Sequence, residues 1–271
     1  MSRIGERFTV NRTRGEKTLV AYLMAGDPDE ARGLTALRAV AAGGADVIEL
    51  GVPFSDPMAD GRIIELAGIR ALAAGIHLPE IFRMVRTFRQ EFDTPLLLMT
   101  YWNPLLQYGP ARVCSEAKAA GVDGFLISDL PPEEAAEWLT EARAANLDTI
   151  FLLAPTSPES RIHLVAQAGS GFIYCVSRLG VTGTQTELPA DLFALIDHIK
   201  ALTDQPVAVG FGISTPAHVA AVCSHADGAI VGSALVKIIT EYADGDIAGA
   251  VASFVHDLKV ATQGNWSIGR K

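Results

Sequence analysis

Asp46-Val47-Ile48-Glu49-Leu50-Gly51-Val52-Pro53-Phe54-Ser55-Asp56-Pro57-Met58-Ala59-Asp60-Gly61 joins an apolar run to a loop rich in Pro, Gly and Asp. The run lacks the polar alternation of a half-exposed strand. Both its faces are therefore expected to be buried, as in a parallel sheet covered by helices. One carboxylate, Glu49, stands inside it. Removing that group from water disfavours its charged form. Glu49 therefore needs either a cation beside it or a chemical use.

The same pattern recurs on both sides. Apolar runs are read at 18–25, 46–51, 95–100, 124–127, 148–153, 171–176, 206–210 and 228–231, each followed by helical spacing. Helices are expected at 31–42, 62–74, 79–92, 110–120, 133–145, 158–168, 189–203, 215–224, 233–242 and 247–262, with a short amphipathic one at 2–14. Gly26-Asp27-Pro28-Asp29 reads as a turn and helix start, with Pro at an early helical position. Strand–helix alternation demands a parallel sheet with helices outside it. Eight such units in 271 residues match a TIM (β/α)8 barrel with an extra N-terminal helix. An open doubly wound sheet is the alternative, but no G-x-G-x-x-G follows the first strand. No linker or low-complexity tract divides the chain, so residues 1–271 are expected to form one domain.

Composition narrows the function. A net charge of −9 without any basic run argues against binding nucleic acid through its phosphates. Cys114, Cys175 and Cys223 are far apart and lack C-x-x-C spacing, which suits reduced thiols in a cytoplasmic protein. The charged start of the chain has no apolar core of a signal peptide, and no run approaches the length of a membrane span.

In a barrel the chemistry sits at the C-terminal ends of the strands. The polar residues expected there include Asp27, Glu49, Asp56, Asp60, Thr100, Tyr101, Asn103, Ser128, Asp129, Tyr174, Ser177, Arg178, Thr182, Ser214 and Ser233. None of them makes a metal-ligand cluster or a Ser–His or Cys–His pair. Glu49 and Asp60 suggest acid–base work. Glu49, with apolar neighbours, is expected to hold a proton near neutral pH. Asp60, in a polar loop, is expected to stay ionised and accept a hydrogen bond. The alternatives are a buried ion pair for Glu49 and turn capping for Asp56 and Asp60. Gly210-Phe211-Gly212-Ile213-Ser214 and Gly232-Ser233-Ala234 end the last two strands. Free backbone N–H groups and helix dipoles there would hold a phosphate. The alternative is a pair of tight turns with Ser214 or Thr215 as N-cap.

Pro53-Phe54-Ser55-Asp56-Pro57-x-Ala59-Asp60-Gly61 after Glu49, with Ser177-Arg178-x-Gly180-Val181-Thr182-Gly183 and Gly210-Phe211-Gly212-Ile213-Ser214, resembles the tryptophan synthase α subunit family. The resemblance extends from Ala21-Tyr22-Leu23-x-Ala25-Gly26-Asp27-Pro28 to Gly232-Ser233-Ala234-x-Val236-Lys237. It implies a lyase that cleaves indole-3-glycerol phosphate to indole and glyceraldehyde 3-phosphate. It implies proton transfer by Glu49 and binding of the indole N–H by Asp60. Phosphate would rest on Gly183, Gly212, Gly232 and Ser233, with Tyr174 and Phe211, and also Tyr22, Tyr101 and Ile63, lining the site. Loop 178–188 would be a lid whose Thr182 closes on Asp60. No cofactor is implied in this chain; the implied partner is a pyridoxal-phosphate β subunit in an αββα assembly. Segments 53–61, 103–106 and 129–132 would meet that partner. Arg62 and Glu65 depart from the family's usual Pro and Gln. They could pair with each other, or Arg62 could turn towards Asp60 and lower its pKa.

Overall fold

The apolar runs line up side by side. The fold comes from a computed structural model that describes residues 2–177, 190–264 and 266. Its strands are β1 (Thr18–Met24), β2 (Val47–Gly51), β3 (Leu96–Thr100), β4 (Gly124–Ile127), β5 (Asp148–Ile150), β6 (Leu152–Leu153), β7 (Ile173–Val176), β8 (Val207–Gly210) and β9 (Gly228–Val231). All pair in parallel, in the order β5-β4-β3-β2-β1-β9-β8-β7-β6. The expected strand at 148–153 is broken at Phe151. Its first half pairs with β4 and its second with β7. Phe151 O still accepts the Tyr174 N–H at 3.1 Å. The first and last strands of the sheet are thus consecutive pieces of one stave, and the sheet curls round into the expected barrel.

The helices are α1 (Arg3–Thr13), α2 (Glu30–Ala42), α3 (Arg62–Ala73), α4 (Leu78–Phe88), α5 (Trp102–Tyr108), α6 (Pro110–Ala120), α7 (Ala136–Ala144), α8 (Glu159–Ala168), α9 (Ala190–Leu202), α10 (Pro216–Cys223), α11 (Ser233–Glu241) and α12 (Ile247–Val260). Two details differ from expectation. Pro28 lies ahead of α2 rather than inside it, after a cis bond from Asp27, and Asp29 is the N-cap. Helix α5 is not among the expected helices. Pro104 falls in its first turn, where no backbone N–H needs an intrahelical partner.

Two apolar layers result. Strand residues facing outwards pack against the helices. Those facing inwards, including Val20, Val47, Leu97, Leu126, Ile150, Phe172, Tyr174, Ala208 and Ile230, fill the barrel. Ile4 and Phe8 of α1 join this inner group, with the Phe8 ring 5.4 Å from that of Phe172. The N-terminal helix therefore plugs the end of the barrel where the strands begin. That rim is also stitched by carboxylates. Asp46, Asp123 and Asp227 accept the N–H of Leu19, Leu96 and Val207 on a neighbouring strand, at 2.8, 2.9 and 3.0 Å. Lys259, Arg89 and Lys200 neutralise them. One end of the barrel is thereby closed, and the other is left for a site.

Candidate active site

Strand periodicity puts Tyr22 on the same inward face as Val20, and Glu49 and Gly51 on that of Val47. Tyr22 and Glu49 are direct partners across β1 and β2. Both are buried, at 4% and 1% exposure. Glu49 Oε1 has no hydrogen-bond partner among the described residues. Among the described residues the ion-pair alternative is not realised, since the charge that reaches Glu49 is the carboxylate of Asp60. Burial first, and Asp60 second, push the Glu49 carboxyl up to about 8. It carries its proton at neutral pH, as expected from its apolar neighbours.

Asp60 comes in from the β2–α3 loop. Its Oδ1 accepts the Tyr101 hydroxyl at 3.0 Å, and that hydroxyl accepts the Ala59 N–H at 3.0 Å. Tyr101 also packs on Phe54, ring to ring at 5.5 Å. One buried tyrosine at the end of β3 thus fixes both ends of the Phe54–Asp60 turn. The setting of Asp60 is less polar than expected. Burial raises its pKa, Tyr101 pulls it back down, and Glu65 raises it again. Arg62 does not turn towards Asp60. It pairs with Glu65 at 3.1 Å on the exposed start of α3.

On the far side of the mouth lie Tyr174 of β7 and Phe211 after β8, edge to face at 5.9 Å. Phe211 has a positive φ of 69°, rare for a residue with a side chain, and Gly212 follows at 79°. Ser177 holds this turn, donating to Phe211 O at 2.5 Å. The N-terminus of α10 is capped by Thr215, as in the turn alternative. That of α11 starts at Ser233 behind Gly232 and has no side-chain cap among the described residues. Gly212, Gly232 and Ser233 therefore follow adjacent strand ends at the mouth. Thr182 and Gly183, with the rest of 178–188, lie outside the described residues.

The other candidates do other work. Asp27 is buried and paired with Arg70 at 2.7 Å. Asp56 is exposed and bonded to Ser55. Asp129 accepts the Trp102 N–H at the start of α5. Among the described residues no group of three or more His, Cys, Asp or Glu could hold a metal ion. None of the helices is long and apolar enough to cross a membrane, again among the described residues. The bond from Tyr101 to Asp60 is the feature that sequence reading missed. Its signal was a tyrosine at a strand exit, but nothing in the sequence says which loop it meets.

The fold and mouth define a class: a TIM barrel with a protonated, buried carboxyl and a second carboxylate beside it, facing a glycine-lined turn. The tryptophan synthase alpha chain family model matches residues 8–263. An alpha chain from Geobacter sp. (strain M21) is 48% identical over 259 residues, covering 96% of this chain and 97% of that protein. One from Geobacter sulfurreducens is 48% identical over 261 residues, covering 96% and 99%. Among solved structures, Mycobacterium tuberculosis tryptophan synthase superposes with a TM-score of 0.90 at 36% identity, covering 97% of this chain and 99% of that one. The Legionella pneumophila alpha subunit gives 0.89 at 37%, covering 97% and 98%. The chain belongs to the tryptophan synthase alpha chain family.

Proposed function

We propose that Glu49 and Asp60 are the acid–base pair with which this alpha chain cleaves indole-3-glycerol phosphate to indole and glyceraldehyde 3-phosphate. Retro-aldol cleavage needs the ring made electron-poor by a proton and the side-chain hydroxyl stripped of one. Glu49 holds the proton that goes to the indole ring carbon bearing the side chain. As a carboxylate it then takes the proton of the side-chain hydroxyl, so that the carbon–carbon bond breaks to leave an aldehyde. Asp60 accepts the ring N–H and stabilises the charge that develops there. Phosphate rests on backbone groups at Gly212, Gly232, Ser233 and Gly183, with Tyr174 and Phe211 as walls and Thr182 closing over Asp60. The observation that carries this reading is Glu49: buried, without a cation beside it among the described residues, and raised to about 8 beside Asp60.

The alpha chain works in L-tryptophan biosynthesis beside a β subunit, which carries the pyridoxal phosphate; the family has no cofactor of its own. Segments 53–61, 103–106 and 129–132 are our proposal for the surface that meets it. The outward Met58, 95% exposed, and Leu106, 48% exposed, support that. One domain spanning 1–271 and a cytoplasmic location belong to the same proposal, and three free, buried cysteines suit the latter. Two other readings, a stand-alone lyase and an activator with weakened chemistry, differ in what the isolated chain does. The Arg62–Glu65 pair counts against the second, because it leaves Asp60 unblocked.

The experiment mixes the purified chain with indole-3-glycerol phosphate, with and without a β subunit, and measures indole. Release is expected in both arms and to be greater with β. Glu49→Gln, folded, is expected to lose it by at least about a hundredfold. Full activity in that variant contradicts the role of Glu49.

A further inference from the structure

Helix α3 leads away from Asp60, and its outer face, with Ile63, Leu66 and Ile69, is exposed. Its start at Gly61 has no side-chain cap among the described residues, and Arg62 pairs with Glu65 of the same helix. Among the described residues, the only side-chain hydrogen bonds from α3 to other elements come from Arg70. Its Nε and Nη2 donate to Asp27 Oδ1 and Oδ2 at 2.7 and 2.9 Å. Nη2 also donates to Thr240 Oγ1 of α11 at 2.9 Å. We propose that Arg70 is a positioning residue: by pinning α3 to the β1–α2 turn and to α11, it sets the spacing between the ring subsite at Asp60 and the phosphate subsite at Gly232 and Ser233. This rests on the reading of those two subsites given above.

Asp27 is 2% exposed, in the turn that follows β1. Burial raises its carboxyl, and the fork of Arg70 pulls it back. A carboxylate held at both oxygens by one guanidinium fixes direction as well as distance. Helices α3 and α11 pack together and both start at the mouth. Arg70 lies about 12 Å down α3 from Arg62, and Thr240 about 10 Å down α11 from Ser233, at about 1.5 Å per residue. The cross-link therefore joins the two helices at a similar depth. Thr240 in turn donates to Val236 O on its own helix at 2.9 Å. The end of α3 that carries Asp60 is thus referred to the end of α11 that carries Ser233. A substrate that spans both subsites feels their separation, whereas a ligand of only one does not.

The test is Arg70→Lys in the full chain. It keeps a cation beside Asp27, which would otherwise be a bare buried carboxylate, but loses the fork and the reach to Thr240. Kd is measured for three ligands: indole, glyceraldehyde 3-phosphate, and an uncleavable analogue in which a saturated three-carbon chain joins the ring to the phosphate. The expected result is a rise of about tenfold or more for the analogue, since a misplacement of about 1 Å can cost about a hundredfold. Each of the other two ligands changes by less than about twofold, because neither has to meet both subsites at once. An unchanged Kd for the analogue overturns the role of Arg70 alone, and so does an equal loss for glyceraldehyde 3-phosphate or indole, which would mark damage to one subsite. Should Arg70→Lys not fold, Thr240→Val, which leaves the pair with Asp27 whole, is read in the same way, with a rise of about threefold expected for the analogue. Equal turnover by the unaltered chain and Glu49→Gln, or no binding of glyceraldehyde 3-phosphate by the unaltered chain, overturns the reading beneath it, and this inference with it.

Discussion

A carboxyl with apolar walls on most sides and another carboxylate near it is easier to keep protonated than charged. Glu49 is in that position, and the consequence reaches beyond catalysis. Its unfolded pKa is near the ordinary glutamate value of about 4.3, and its folded value is about 8. Between those pH values the folded chain holds a proton that the unfolded chain has lost. Stability therefore falls as pH rises through that window, and levels off above about 8. Glutamine removes the charge and the penalty together. Glu49→Gln is expected to melt several degrees higher than the unaltered chain at pH 8, with the gap closing towards pH 4.5, as followed by thermal unfolding across pH. A gap that is constant with pH would mean that Glu49 is not proton-linked to folding. Asp60 shows how little of this a residue tells by itself. Its loop looked polar in sequence, yet its environment is set by Tyr101, 41 residues away.

At the scale of elements, β2 does two things with one periodicity. Counting in twos from Val47 brings Glu49 and then Gly51 to the barrel interior, and the first needs the second. Only a residue without a side chain lets Tyr22 lie across the strand above Glu49. Gly51→Ala should displace a packed ring. A loss of about 1–3 kcal/mol in denaturant unfolding is expected, with loss of indole release. A fully stable and active Gly51→Ala would show that the ring of Tyr22 is free to move. The strands themselves were legible, because a residue run buried on both faces has no polar alternation. Helix α5 was not, since Pro104 is as acceptable in a first turn as in a loop. Nor were the aspartates before β2, β4 and β9. Their sequence surroundings resemble ordinary turns, and their use depends on a neighbouring strand and a distant Lys or Arg.

For the whole molecule, the alternation of strand and helix was enough to give a barrel, and the barrel was enough to put the site at the strand exits. Closure was harder to read. The stave at 148–153 is split so that its two pieces reach different neighbours, a break that apolar spacing does not reveal. The N-terminal helix was visible as amphipathic, but its use as a plug depends on Phe8 meeting Phe172 across the barrel floor. The outcome is a container plugged below by α1, with its acid beside the mouth. That acid is Glu49 in its protonated form. The most direct test is the pH dependence of kcat/KM for indole release by the chain with its β subunit. The expected profile has a limb that falls tenfold per pH unit above about pH 8, absent from the residual activity of Glu49→Gln. A profile that stays flat from pH 7 to pH 10, or a limb that survives in Glu49→Gln, would contradict it.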